Sequence, residues 1–438
     1  MRGTPKGFRV HVGLFGRRNV GKSSLLNALT RQSVSIVSDV AGTTTDPVEK
    51  PMELLPLGPV LFIDTAGIDD VGALGALRMH KTRAVFDRTD VGVIVTEASW
   101  GLFEEGLREE LGRRGVPTIV VFNKADLALP DAERVQRLRE AGTTVVETAA
   151  VSGGGILDFR QALLDRAPAD LVNHSAIVGD LVGPGGLAVL VVPIDKEAPK
   201  GRLILPQVQA IRDLLDHEAG CLVVKENRLR AAFGQLATEP KLVVTDSQAF
   251  EKVAADTPAN VLMTSFSILF ARFKGDLVTQ TLGAMAIDAL VPGDRVLVAE
   301  ACTHHPIEDD IGRVKIPAWL TRYAGGELAF TTVQGHDFPE DLSDYKLVIH
   351  CGACMWNRRE MLNRVLRCGR ANVPITNYGL AIAYSLGIFE RALEPFPAAL
   401  EAYRAASARG RHDRCGDGDG KRRGDPGFPA SIARSGAG

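Results

Sequence analysis

Gly16-Arg17-Arg18-Asn19-Val20-Gly21-Lys22-Ser23 decides the reading of this 438-residue chain. An apolar run from Val10 to Phe15 precedes it, and an amphipathic segment carrying Leu25, Leu26 and Leu29 follows, so the glycines fall on a strand-to-helix turn. The spacing suits phosphate binding. Gly16 and Gly21 let backbone N–H groups wrap the phosphates, and the helix N-terminus adds positive potential. Lys22 reaches the outer phosphates, and the Ser23 hydroxyl is placed for Mg2+.

Working outward, apolar runs at 60–63, 91–95, 118–122 and 144–147 alternate with amphipathic segments, which predicts a doubly wound α/β domain over residues 8–168. Asp64-Thr-Ala-Gly67 closes one predicted strand; the carboxylate suits Mg2+ held through water, and the Gly67 N–H can sense the γ-phosphate. Asn123-Lys124-Ala-Asp126 closes another, and Asp126 can accept from guanine N1–H and the exocyclic amine, a pairing adenine cannot reproduce. The expected nucleotide is GTP. Gly42-Thr43-Thr44-Thr45-Asp46 lies in a polar stretch between strands, as a switch loop should, with Thr43 or Thr44 as a ligand of the Mg2+.

Composition sets the frame. Lys and Arg total 51 against 53 Asp and Glu, a net charge of −2 with 45% hydrophobic residues, the profile of a globular protein with no general affinity for nucleic acid. Six cysteines scattered along the chain, with no leader-like pattern after Met1, predict a reducing, cytoplasmic setting. Apolar stretches such as 187–194 are far below the roughly 18 residues of a membrane span.

A Gly-containing polar stretch around 169–186 marks a boundary, after which strand-like runs at 188–192, 221–225, 241–245 and 261–264 predict a small α/β unit over 180–265. A third α/β unit is expected over 266–403, with a helix at 276–290 and strands at 295–300, 328–333 and 345–349. Residues 404–438 read as a disordered tail, rich in Arg, Gly, Asp and Ser.

The third unit carries Cys302-Thr-His304 after one predicted strand and His350-Cys351-Gly-Ala-Cys354 after another. Strand ends on one edge of an α/β sheet form the usual ligand crevice, so the two loops can converge. Three thiolates with one or two imidazoles suit structural zinc or an iron–sulfur cluster, and residue chemistry alone leaves both open.

The nucleotide motifs together resemble the TrmE/Era-type GTPases over residues 8–168. That resemblance implies slow intrinsic hydrolysis, because Ile68 stands where Ras-like proteins carry a water-orienting Gln. It implies K+ stimulation through Asn19, and weakened guanine capping by Ala149-Ala150-Val151, where Ala150 supplies a backbone N–H. With the C-x-H and H-C-x-x-C pair added, the chain resembles the HydF family of FeFe-hydrogenase maturation GTPases over about residues 8–400. This implies a 4Fe–4S cluster on Cys302, Cys351 and Cys354, with His304 and His350 as candidates for the fourth position. It further implies a homodimer formed through 180–265, and delivery of a diiron precursor, built with two radical-SAM maturases, to apo FeFe-hydrogenase. The alternative is a ribosome- or tRNA-associated TrmE/Era-type GTPase with a structural zinc module.

Overall fold

The computed structural model describes residues 5–31, 47–54, 57–65, 84–168, 176–194, 200–301 and 310–416. Three sheets follow one another along the chain. The first has strands β1 (Val10–Phe15), β2 (Val48–Leu54), β3 (Gly58–Asp64), β4 (Val91–Thr96), β5 (Thr118–Asn123) and β6 (Thr144–Thr148), with helices α1 (Lys22–Arg31), α2 (Leu102–Arg113), α3 (Ala132–Glu140) and α4 (Ile156–Arg166) between them. Its order is β2-β3-β1-β4-β5-β6, parallel except for β2 against β3. Strands β1 and β4 are buried throughout, as strands covered on both faces must be. The edge strand β2 has no counterpart in the sequence reading: Glu49, Lys50 and Pro51 break the alternation, and an antiparallel edge tolerates the proline.

The second sheet, ordered β10-β9-β7-β8, uses β7 (Leu187–Val191), β8 (Gly220–Val224), β9 (Leu242–Thr245) and β10 (Leu262–Ser265), with α5 (Leu205–Asp216) and α6 (Phe250–Asp256). Helix α7 (Phe266–Lys274) leads into the third sheet, ordered β12-β11-β13-β14. That sheet comprises β11 (Arg295–Glu300), β12 (Ala329–Gln334), β13 (Leu347–His350) and β14 (Ile375–Asn377). One apolar core runs through both sheets, from Ile177 to Ala399, whereas the first sheet has its own.

Three differences from the sequence reading stand out in the last third. The helix expected at 276–290 is α8 (Leu277–Ala284) followed by a 3-10 turn, Met285–Ala289. After α9 (Ile316–Ala324) and α10 (Arg358–Arg370), helices α11 (Tyr378–Ser385) and α12 (Phe389–Leu393) go beyond the sequence reading; α11 is buried over Tyr378–Ala383 and so has no polar period. Residues 404–416, expected to be disordered, continue α13 (Pro397–Gly416). Their Ala and Arg are strong helix formers, and the helix is anchored by the Tyr403 ring edge-on to Phe389 at 5.1 Å and by an Arg404–Glu390 ion pair.

His11 sits on β1, buried, its Nε2 3.0 Å from the Lys6 carbonyl. Burial, helped by Arg88, pushes the imidazole down to about 3. The unfolded chain takes up a proton near 6.5 that the folded chain refuses, so this stability is fully present above pH 6.5 and is lost as the pH falls toward 3. Between pH 7.5 and 5.5 denaturant unfolding should lose about 1.4 kcal/mol from this residue, and His11→Gln should flatten that decline. An undiminished slope in the variant would clear His11 of the effect.

Candidate functional site

Two sites lie at strand C-termini, one in the first sheet and one in the third. In the first, β1 lies between β3 and β4, so Gly16–Ser23 leaves the sheet at the point where the strand order reverses, which is where open α/β sheets take ligands. Gly16 adopts φ 147° and Gly21 φ 91°. A side chain on Gly16 would meet the Val95 carbonyl at 2.2 Å, and one on Gly21 the Asn123 amide at 2.2 Å. Close approach of the loop to its neighbours therefore demands glycine at both positions.

Lys22 is buried, and its Nζ donates to the Gly16 carbonyl at 2.9 Å and the Arg17 carbonyl at 2.8 Å. Arg17 is braced from outside, its Nε donating to Glu104 Oε1 at 2.7 Å. The Ser23 hydroxyl donates to Asp64 Oδ2 at 2.9 Å, while the buried Asp64 Oδ1 has no hydrogen-bond partner among the described residues. Burial raises the Asp64 carboxyl, against the pull of Ser23 and Lys22. A hydroxyl beside a carboxylate oxygen with an unmet acceptor is a donor set that fits Mg2+. Asn19 is exposed in the left-handed region at φ 62°, which asparagine tolerates. Thr43, Thr44, Gly67 and Ile68 lie outside the described residues.

Asn123 does more than its motif suggests. Its Nδ2 donates to the Val20 carbonyl at 3.0 Å, and its Oδ1 accepts from Thr148 Oγ1 at 3.0 Å and from the Ala150 N–H at 3.1 Å. One buried side chain thus pins the phosphate loop, the end of β5 and the loop after β6 together. The Ala150 N–H, expected to cap guanine, is engaged by Asn123. Lys124 pairs with Glu97 at 2.5 Å, and Asp126 is exposed on the same turn.

In the third sheet, β11 and β13 run parallel with Ala299 opposite His350. The next residues are therefore side by side: the Cys351 N–H donates to the Ala299 carbonyl at 2.9 Å, and Cys351 Sγ accepts from the Ala301 N–H at 3.1 Å. Cys302 follows Ala301 directly; Cys302, His304 and His305 lie outside the described residues. Between Cys351 and Cys354, Ala353 holds φ 50°, a conformation that costs a non-glycine residue about 1–2 kcal/mol. Such strain concentrates at functional loops. Among the described residues no group of three His, Cys, Asp or Glu side chains is arranged to hold a metal ion.

His350, a candidate fourth ligand on sequence, has both ring nitrogens engaged. Nδ1 lies 2.8 Å from the Cys351 carbonyl, and Nε2 lies 3.1 Å from Arg364 Nη1. Burial, with Arg364 adding to it, pushes the imidazole down to about 3, so it is neutral, donating from Nδ1 and accepting at Nε2. Arg364 lies over the Trp356 ring at 4.1 Å and the Phe338 ring at 4.5 Å, and donates to the Gly335 carbonyl at 2.7 Å. Nothing in the sequence marks Arg364, because its partners are up to 29 positions away.

Lys274 is likewise invisible in sequence. It is 1% exposed, donates to the Gly7 carbonyl at 3.1 Å and to the Trp356 carbonyl, and lies over the Phe8 ring at 4.9 Å. Burial lowers its ammonium to about 7, opposed by the charges of Cys354, Asp90 and Glu360. It therefore binds three parts of the chain at one point: the lead-in to β1, the end of α7 and the loop after Cys354.

Comparison with known families assigns the parts. Residues 177–275 match the hydrogen maturase F dimerization domain, and residues 278–395 match the hydrogen maturase F tetramerization domain. The chain belongs to the hydrogen maturase F family. Residues 11–124 of this family member match the 50S ribosome-binding GTPase model and form its GTPase domain. The region expected to bind a cluster is thus matched by an oligomerization model, and it contains Cys302, Cys351 and Cys354.

Single-protein likenesses cover part of the chain. The chain is 37% identical over 152 residues to the tRNA modification GTPase MnmE of Bacillus velezensis, covering 34% of this chain and 33% of that protein. It is 38% identical over 135 residues to GTPase Der of Wolinella succinogenes, covering 29% and 28%. It spans about a third of the length of these curated relatives. Among solved structures, the G domain of the T. maritima FeoB iron transporter aligns at 23% identity and TM-score 0.30, over 36% of this chain and 99% of that one. Aquifex aeolicus Era aligns at 21% and 0.30, over 52% and 97%. Among the described residues no helix is long and apolar enough to cross a membrane.

Proposed function

We propose that this hydrogen maturase F family member hydrolyses GTP and acts in FeFe-hydrogenase maturation as an oligomeric carrier, holding a 4Fe–4S cluster and delivering a diiron precursor to apo-hydrogenase. The observation that carries the reading is the pairing of Ala299 with His350, which sets Cys351 Sγ on the Ala301 N–H beside Cys302, within a region matched by a hydrogen maturase F model. An N–H aimed at sulfur favours thiolate, the form that binds iron.

Cys302, Cys351 and Cys354 would supply the thiolates. With its nitrogens engaged, His350 orients the Cys351 carbonyl, and His304 remains the imidazole candidate for the fourth position. At the other site Ser23 and Asp64, with Thr43 or Thr44, would hold Mg2+, while Lys22 and the Gly67 N–H would contact the γ-phosphate. Lys22 must turn from the Gly16 and Arg17 carbonyls to reach it. The two radical-SAM maturases and the apo-hydrogenase are the partners this role requires, and the cytoplasm is its setting.

Iron and sulfide analysis of anaerobically purified protein, run with an apo-hydrogenase activation assay, tests the reading. About four iron and four sulfide per chain with activation is the expected result. Colourless protein with bound zinc and no activation would instead favour a ribosome- or tRNA-associated GTPase.

Hydrolysis should be faster in K+ than in Na+, because the larger cation fills a site beside Asn19 and stabilises charge developing in transfer. Asn19→Ala should remove most of that difference while GTP still binds. Equal turnover in the two salts would leave Asn19 a loop residue alone.

A further inference from the structure

Asn357, three residues after Cys354 and 2% exposed, faces two ways. Its Oδ1 caps α10 by accepting from the Glu360 N–H at 3.2 Å. Its Nδ2 donates to the Arg88 carbonyl at 2.8 Å and to Asp90 Oδ2 at 3.0 Å. The same Asp90 oxygen accepts from the His11 N–H at 2.9 Å, and the Asp90 N–H donates back to the His11 carbonyl at 2.8 Å. One carboxylate oxygen therefore joins β1, the start of β4 and the turn after the cysteine pair.

From His11 the chain runs straight through β1 into Gly16, roughly 17 Å of buried strand. Around Asn357 the contact is extended by Asn363 on the Asp87 carbonyl, and by Arg359 on the Arg114 and Gly115 carbonyls at 3.1 Å each. Asn363 and Arg359 bind at a part-buried to exposed margin, whereas the Asn357 bonds lie in a buried interior. A donor pulled from its acceptor there is left unsatisfied, so the two sides move as one more readily than they part.

We propose that Asn357 is a positioning residue that couples nucleotide occupancy at Gly16–Ser23 to the setting of Cys354. The inference rests on the reading above, that the first site takes GTP and the second holds iron. Such coupling is reciprocal: whatever factor nucleotide imposes on iron affinity, iron must impose on nucleotide affinity.

Asn357→Ser keeps an oxygen that can cap α10 and removes both amide donations. In the full-length, iron-free protein, mass spectrometry would follow alkylation of Cys354 by iodoacetamide with and without Mg2+ and a non-hydrolysable GTP analogue. Calorimetry would measure analogue affinity before and after reconstitution with ferrous iron and sulfide. In the wild type both should change about 5-fold or more. In Asn357→Ser both factors should fall to near one, with iron content and iron-free affinity within about twofold of wild type. Asn363→Ala, which loosens the same contact without touching Asp90, should keep the coupling.

Wild-type protein that binds analogue and iron yet shows factors near one would overturn the inference, whatever the stability of the variants, and leave the proposed function standing. Coupling that survives in Asn357→Ser would also overturn it. Wild-type protein that binds neither analogue nor iron would remove the reading and the inference together.

Discussion

Asp126→Asn should weaken GTP binding about 10- to 150-fold, as loss of a charge-assisted pair worth roughly 1.5–3 kcal/mol requires. The exposed carboxylate faces no competing partner change: the amide would present an NH2 group to the guanine donors while accepting at one oxygen only. Xanthine, which offers a carbonyl where guanine has its amine, should gain what guanine loses. Because Asn123, and not Asp126, joins the surrounding loops, the variant should keep its fold. Calorimetry with GTP and XTP checks both halves, and unchanged GTP affinity would sink the assignment.

Cys351→Ser should cut bound iron about tenfold or more, because a harder, less acidic hydroxyl replaces a soft thiolate. Hydrogenase activation should fall with it. Turnover of GTP should stay within about twofold, since Lys22 bonds to Gly16 and Arg17, and Ser23 to Asp64, at the edge of a different sheet from the one that carries Cys351. Iron retained at the wild-type level would show that Cys351 is no ligand.

The GTPase fold was legible because β1, β3, β4 and β5 are largely buried and so are written as apolar runs, three of them ending in a motif whose chemistry is local. Adjacency of β11 and β13, the strands that the two cysteine loops follow, was legible for the same reason. Other features leave no such trace. Edge strand β2 mixes Glu49, Lys50 and Pro51, and α11 is apolar on every side, so neither has a period to read. Asn123 has the residue type its motif predicts, yet the three loops it joins appear only once β1, β5 and β6 are side by side. Asn357 and Asp90 are 267 positions apart and Lys274 and Gly7 are also 267 apart, separations at which no spacing rule operates.

Lys274 also sets an order in time. Its two carbonyl acceptors, Gly7 and Trp356, leave the ribosome some 349 residues apart, which is about 17 to 70 s of synthesis. The first sheet has its own core and can close in that interval, so the nucleotide pocket is made while neither Cys351 nor Cys354 yet exists. The segment around Gly7 has to wait for the lysine, and the lysine for the loop that follows Cys354. On the proposed function a newborn chain would therefore meet GTP before iron, with the joint at Lys274 closing after the nucleotide pocket.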